Sequence, residues 1–167
     1  MTDHTSLKTV IARCHQVLNQ LFFVHQEAVL LGVLPRAIET LHQFIAAHDL
    51  HKNFEDTHLL TRLADLDDPG NWPASLYGHE HNKITDLLTQ LDKDLLRLNS
   101  RELTGTALHI ELIELLDREK SIKGLCEHHQ EREEAGMLPA LDEQTDTVWR
   151  KAIIEPFIAE WQTTVAE

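Results

Sequence analysis

The chain has 167 residues, enough for one domain with a real core, and is 42% hydrophobic and 26% charged, a globular composition. Its formal charge of −13 argues against a nucleic-acid or anionic-membrane partner, either of which needs a basic face. No segment approaches the roughly 18 uninterrupted apolar residues of a membrane span. The first residues, MTDHTSLKTVIARCH, contain no apolar h-region, so no signal peptide is expected. Two cysteines, Cys14 and Cys126, have no framework spacing, which fits a reduced, cytoplasmic protein.

Apolar residues recur at helical spacing nearly throughout, and nothing alternates for long like a half-buried strand. The expected fold class is all-α. Leu7, Val10, Ile11, Leu18, Leu21 and Phe22 make the stripe of a first helix, which Gly32 stops. Pro35 can open the second, which runs through Ile38, Leu41, Ile45, Leu59 and Leu63. The stretch DLDDPGNWP, residues 65–73, is rich in turn formers and is the clearest break. A third helix is expected from about Ala74 to Leu98, an interruption around Gly105, and a fourth helix from about Ala107 to Met137. A fifth segment is apolar at Val148, Trp149, Ile153, Phe157, Trp161 and Val165. Pro156 inside it predicts a kink or two short helices.

Twelve histidines are the unusual number. With 28 acids, chance alone supplies about two histidine–acid pairs four residues apart, and two occur: His51–Glu55 and His129–Glu133. Their count therefore carries nothing, but their placement does. In an antiparallel helix hairpin, residues at equal height lie equally far from the turn. His15 and His51 are centred on residue 33, Glu55 and His81 on residue 68, and His81 and His129 on residue 105. All three centres fall in predicted breaks. An up-down-up-down four-helix bundle would therefore bring His15, His51, Glu55, His81, His129 and Glu133 to one level, in the core where such bundles build metal sites. The sequence also repeats weakly. HKNFEDTHLLTRL (51–63) matches HQEREEAGMLPAL (129–141) at the histidine, the glutamate, the acid after it, and then at leucines. Each half pairs a lone-histidine helix with a histidine–glutamate helix, an arrangement suited to two metal ions.

These motifs resemble the hemerythrin-like family, or HHE cation-binding domain. That family is a four-helix bundle with a lone ligand histidine on its first and third helices and H-x-x-x-E on its second and fourth. The second motif fits the family's ending fully; the first has Thr61 where Pro139 stands. GHEHNKITDLL resembles the third-helix entry and CHQVLNQLF the first. The resemblance spans roughly residues 10–141. It implies a four-helix bundle, taken over residues 1–141, and omits the tail; the fifth segment makes residues 142–167 an expected helical extension packed on the bundle or on a partner, a homodimer contact included. It implies the metal ligands His15, His51, Glu55, His81, His129 and Glu133. It implies two iron ions bridged by carboxylate and an oxo or hydroxo group. The oxygen carriers of the family have a second third-helix histidine, four residues from the first. Here Tyr77 and Thr85 flank His81 at that spacing. A coordination position is thus left for Tyr77, water or an external ligand, against reversible oxygen transport.

Four imidazoles and two carboxylates exceed the needs of one tetrahedral zinc and suit iron or manganese. A ferritin-like site would want Glu-x-x-His on two helices. Glu39–His42 and Glu55–His58 have that spacing but share one. His4, His25, His42, His79 and His109 read as surface or internally satisfied. His48 and His58 read as surface or supporting residues. His128 is a poor rival to His129, since Arg132 stands four residues beyond it. Cys126 reads as a buried apolar residue, and the other acids of EREE, residues 131–134, as a solvated face. The expected function is binding or sensing dioxygen, nitric oxide, peroxide or iron. The rivals are an interaction module with a structural metal and a di-iron enzyme such as a peroxide scavenger. No nucleophile–base constellation or phosphate loop marks a dedicated enzyme.

Overall fold

The computed structural model describes residues 5–166; His4 lies outside them. Among the described residues all regular structure is helical and no strand occurs. No helix is long and apolar enough to cross a membrane. Helix α1 spans Leu7–Leu30, α2 Leu34–Phe54, α3 Thr61–Ala64, α4 Ala74–Ser100, α5 Gly105–Arg132, α6 Leu138–Gln144 and α7 Thr147–Ala166. Two π-helical turns, Glu55–Leu60 and Glu133–Met137, join α2 to α3 and α5 to α6.

The helix ends follow local chemistry. The Ser6 hydroxyl accepts from the Thr9 amide at 3.2 Å, as an N-cap should. Asp142, on α6, adds a carboxylate from the far end of the chain. It accepts from the Leu7 and Lys8 amides at 2.8 and 3.1 Å, where the helix dipole favours an anion. At the other end Gly32 has φ +69°, with Val33 donating to Ala28 and Gly32 to Val29. That pairing closes α1 in a left-handed cap, available cheaply only to glycine. Pro35 then sits in the first turn of α2, where its missing amide costs nothing.

Helix α1 packs on α2, α5 and α6; α4 packs on α5 and α2. Leu7, Ile11, Leu41, Leu59, Leu63, Ile84, Leu95, Leu115, Leu138 and Leu141 are fully buried in the shared core. Each contributes about 1.5–3 kcal/mol relative to exposure. Helix α7 lies against α2 and α1 through Ile154, Phe157 and Trp161, with Phe157 stacked on Phe54 at 4.1 Å between ring centres.

Of the two outcomes expected from Pro156, a kink or two short helices, the second does not occur: the fifth segment is one continuous helix through Pro156. One expectation needs correction here. Val148, placed on its apolar stripe by spacing, is 78% exposed, and Ile154 takes the buried place. The segment is apolar on so many sides that spacing alone does not choose its inner face.

Candidate metal centre

Both π turns begin at the glutamate of an H-x-x-x-E motif, Glu55 in one half and Glu133 in the other. A π turn carries one residue more than an α turn and is common at functional sites. The two glutamates are 0% exposed, and His15, His51, His81 and His129 are 5% exposed or less. The structure brings all six together. They form two overlapping groups: His15, His51, Glu55 and Glu133, and Glu55, His81, His129 and Glu133. Within each, one candidate ligand atom per residue lies within 4.8 Å of the others. The histidines divide by sequence half, while both glutamates belong to both groups.

The inward atoms crowd one another at ion-pair distances without aligned hydrogen bonds. His15 Nε2 lies 3.1 Å from Glu133, His81 Nε2 lies 3.2 Å from Glu55 and 3.5 Å from Glu133, and His129 Nε2 lies 2.7 Å from Glu133. None of these three nitrogens, and none of the four oxygens of Glu55 and Glu133, is aligned with a hydrogen-bond partner. Burying two carboxylates this way is costly unless a cation offsets their lost hydration. The donor set, nitrogen and oxygen converging on a common space, fits a metal ion or a pair of them.

The outward ring atoms are held separately. His15 Nδ1 lies 2.7 Å from Glu134, His81 Nδ1 2.6 Å from Asp56, and His129 Nδ1 2.9 Å from Glu80. Such a carboxylate fixes which ring nitrogen faces a metal and orients the ring. Glu80 is itself paired with Arg132. Glu134 thus corrects the reading of residues 131–134 as a solvated face beyond Glu133. Its partner is remote in sequence, but the acid following the glutamate in both halves of the repeat was a signal for it.

These neighbours set the charge. Burial pulls the His81 pKa down, yet pairing with Asp56, Glu133 and Glu55 outweighs it and pushes the value up to about 11. In His129 burial is opposed by Glu133 and Glu80, and the value rises to about 9. His51 has no orienting acid, and burial holds it well below the ordinary value. Glu55 is raised to about 7 by burial and by the charge of Glu133. Glu133 is held well below the usual carboxylate range because His129, His15 and His81 overcome its burial.

Tyr77 and Thr85 are both spent on main-chain carbonyls. The Tyr77 hydroxyl donates to Arg132 at 3.3 Å and that of Thr85 to His81 at 2.9 Å. Beside the six residues, between α1, α2, α4 and α5, is a cavity of about 30 Å³. Its lining includes His51, His81 and His129 and the apolar Phe22, Phe44 and Ile84. A water needs about 10–15 Å³ by this measure, so the space suits a ligand of two or three atoms. The reciprocally bonded amides of Asn19 and Gln130 lie at its edge.

The remaining histidines sort differently. His42, His58, His79, His109 and His128 are exposed. His25 is fully buried and satisfied: its Nδ1 donates to the Ala37 carbonyl at 2.8 Å and its Nε2 meets Glu119 at 3.0 Å. The fully buried Glu119 gave no sequence signal, being one acid among several on α5. His48 lines the cavity, and burial lowers its pKa. Cys126, expected as a buried apolar residue, is half-buried at the same cavity. Comparison with protein-family models, curated proteins and solved structures returns no significant match to this chain.

Proposed function

We propose that this chain is a hemerythrin-like protein: an up-down-up-down four-helix bundle over residues 1–141 holding two iron ions, with residues 142–167 as an extension. We further propose that it binds or senses a small ligand such as dioxygen, nitric oxide or peroxide. The observation that carries this reading is the pair of four-residue groups sharing both glutamates. One octahedral ion could take six donors, but these sort into two groups of four and not into one group of six, and carboxylates shared between two groups are the natural bridge between two ions.

In that role His15 and His51 would serve one ion and His81 and His129 the other, with Glu55 and Glu133 between them. Iron would supply a redox-active centre able to bind a small ligand at a position no side chain fills. The chain's own part is to hold the imidazoles in one tautomer, to keep bulk water out, and to leave space beside the site. The cavity supports the small-ligand reading, because it adjoins three of the four imidazoles and matches a diatomic or a peroxide in size. With Tyr77 and Thr85 engaged elsewhere, neither replaces the third-helix histidine of the oxygen carriers. The reading therefore favours reaction or sensing over reversible carriage.

The test is metal content and a visible spectrum of protein from iron-replete cells, followed by anaerobic nitric oxide on the ferrous form. Two irons per chain and a spectral response to nitric oxide are expected. Protein that takes up no iron would end the proposal, and a spectrum indifferent to the gas would leave only a structural metal.

A further inference from the structure

We infer that the two ion positions are unequal: the position between His81 and His129 binds tightly, and that between His15 and His51 is the weaker, exchangeable one. This rests on the two-ion reading above. Both groups contain Glu55 and Glu133, so any difference between them lies in the imidazoles. His81 and His129 each have a carboxylate on Nδ1, at 2.6 and 2.9 Å, and the second of these acids is anchored by Arg132. Both rings of that pair are therefore aimed and made more basic before an ion arrives.

The other pair is only half supported. His15 has Glu134 at 2.7 Å, but Nδ1 of His51 is buried with no hydrogen-bond partner. The neighbours of the His51 ring include His15, at 5.1 Å between ring centres, and Trp161 of α7, edge-on at 6.3 Å. An imidazole that binds a metal through Nε2 must keep a proton on Nδ1. In His51 that N–H is a buried donor without an acceptor, which costs desolvation free energy each time the ion binds. The ring's one polar contact is on the inward side, Nε2 to Glu55 at 3.4 Å, and Glu55 belongs to both positions; nothing polar on Nδ1 fixes the ring's rotation or raises its basicity. Loss of such an outer partner typically weakens metal affinity about 10- to 100-fold, and the His51 position has that deficit built in.

The experiment titrates the metal-free full chain with cobalt(II), following ligand-field absorption and counting equivalents by elemental analysis. The expected result is two equivalents in two resolved steps, separated by about 10- to 100-fold in affinity. His51→Ala should remove the second step and keep the first, whereas Asp56→Ala should weaken the first. Two equivalents of indistinguishable affinity, a single equivalent, or loss of the first step in His51→Ala would each overturn the inference. The wild-type titration decides by itself if a variant fails to fold. A wild-type chain that takes up neither cobalt nor iron would instead remove the metal reading altogether.

Discussion

Glu134 orients His15 across 119 residues of sequence, its Oε1 2.7 Å from the imidazole Nδ1, and Asp56 does the same for His81 at 2.6 Å. Each acid follows the glutamate of its own half but serves a histidine of the other half. The two halves are thus tied by an exchange of orienting carboxylates. Glu134→Ala should lower metal affinity about 10- to 100-fold while leaving the helical circular dichroism intact, because Glu134 is itself partly exposed. Unchanged affinity in a competition assay would mean that the contact is incidental.

Removing metal should loosen the whole fold. An ion bound only by the folded state at a hundredfold excess over its Kd stabilises by about 2.7 kcal/mol. For a chain of this size that is roughly 5–10 °C in Tm. The buried, unpartnered oxygens of Glu55 and Glu133 give the physical reason. Calorimetry before and after chelation measures it, and an identical Tm with metal loss confirmed would contradict a buried site.

Binding should release protons. In the metal-free protein His81 and His129 have pKa values raised to about 11 and 9, so both are charged at pH 7, and an ion must displace those protons. Affinity should therefore rise with pH through the neutral range. Stability of the metal-free form moves the other way. The share from these two raised groups is complete below about pH 6.5, the ordinary value, and is lost as pH climbs through 9 and then 11. Glu133, depressed, contributes above its ordinary value of 4.5 and loses that share as pH falls through its folded value. Isothermal titration in buffers of different ionisation enthalpy counts the protons. Zero release at pH 7 would contradict the charge assignment.

Histidine variants should separate site from scaffold. His129→Ala should abolish the tighter metal step, and exposed His109→Ala should change neither metal content nor Tm. His25→Ala is the informative control, because it leaves Glu119 buried without its partner. Breaking such a buried pair costs about 3–5 kcal/mol. Its Tm should drop while the metal stoichiometry of the folded protein stays at the wild-type value. Metal loss in folded His25→Ala would extend the site further along α1.

Gly136→Ala should also destabilise, for a steric reason. A Cβ there would stand 2.9 Å from both the Trp72 ring and the Tyr77 hydroxyl. Overpacking of this kind costs on the order of 1–3 kcal/mol, and the Tyr77 bond to Arg132 should weaken with it. Urea denaturation gives the first quantity and the ultraviolet absorption of Tyr77 the second. A wild-type midpoint would show that the 65–73 segment carrying Trp72 yields freely.

The level shared by the six inward residues was legible because helix rise is uniform and short turns preserve height, so distance along the chain converts to position. His15, His51, Glu55, His81, His129 and Glu133 needed only that arithmetic and a periodic apolar face. The supporting contacts were not legible by the same route. Glu134 sits in EREE, which apart from Glu133 reads locally as a charged surface, and the packing of α1 is what sets Glu134 against His15. The buried Glu119 likewise resembles its exposed neighbours until α1 places His25 against it. The inner face of α7 was misjudged at Val148 because an element apolar on most sides has no preferred phase.

The two π turns have a consequence for how this chain can change length. Each inserts one residue into what would otherwise be a continuous α-helix, and one residue is about 100° of helical rotation. Downstream of the two turns, Leu63 in one half and Leu138 and Leu141 in the other face inward, all 0% exposed. Deleting a residue within either turn would restore an ordinary helix and rotate that apolar set away from its neighbours. The glutamates thus stand where the chain resets its reading frame, and the spacing from each histidine to its following leucines must be kept as a unit.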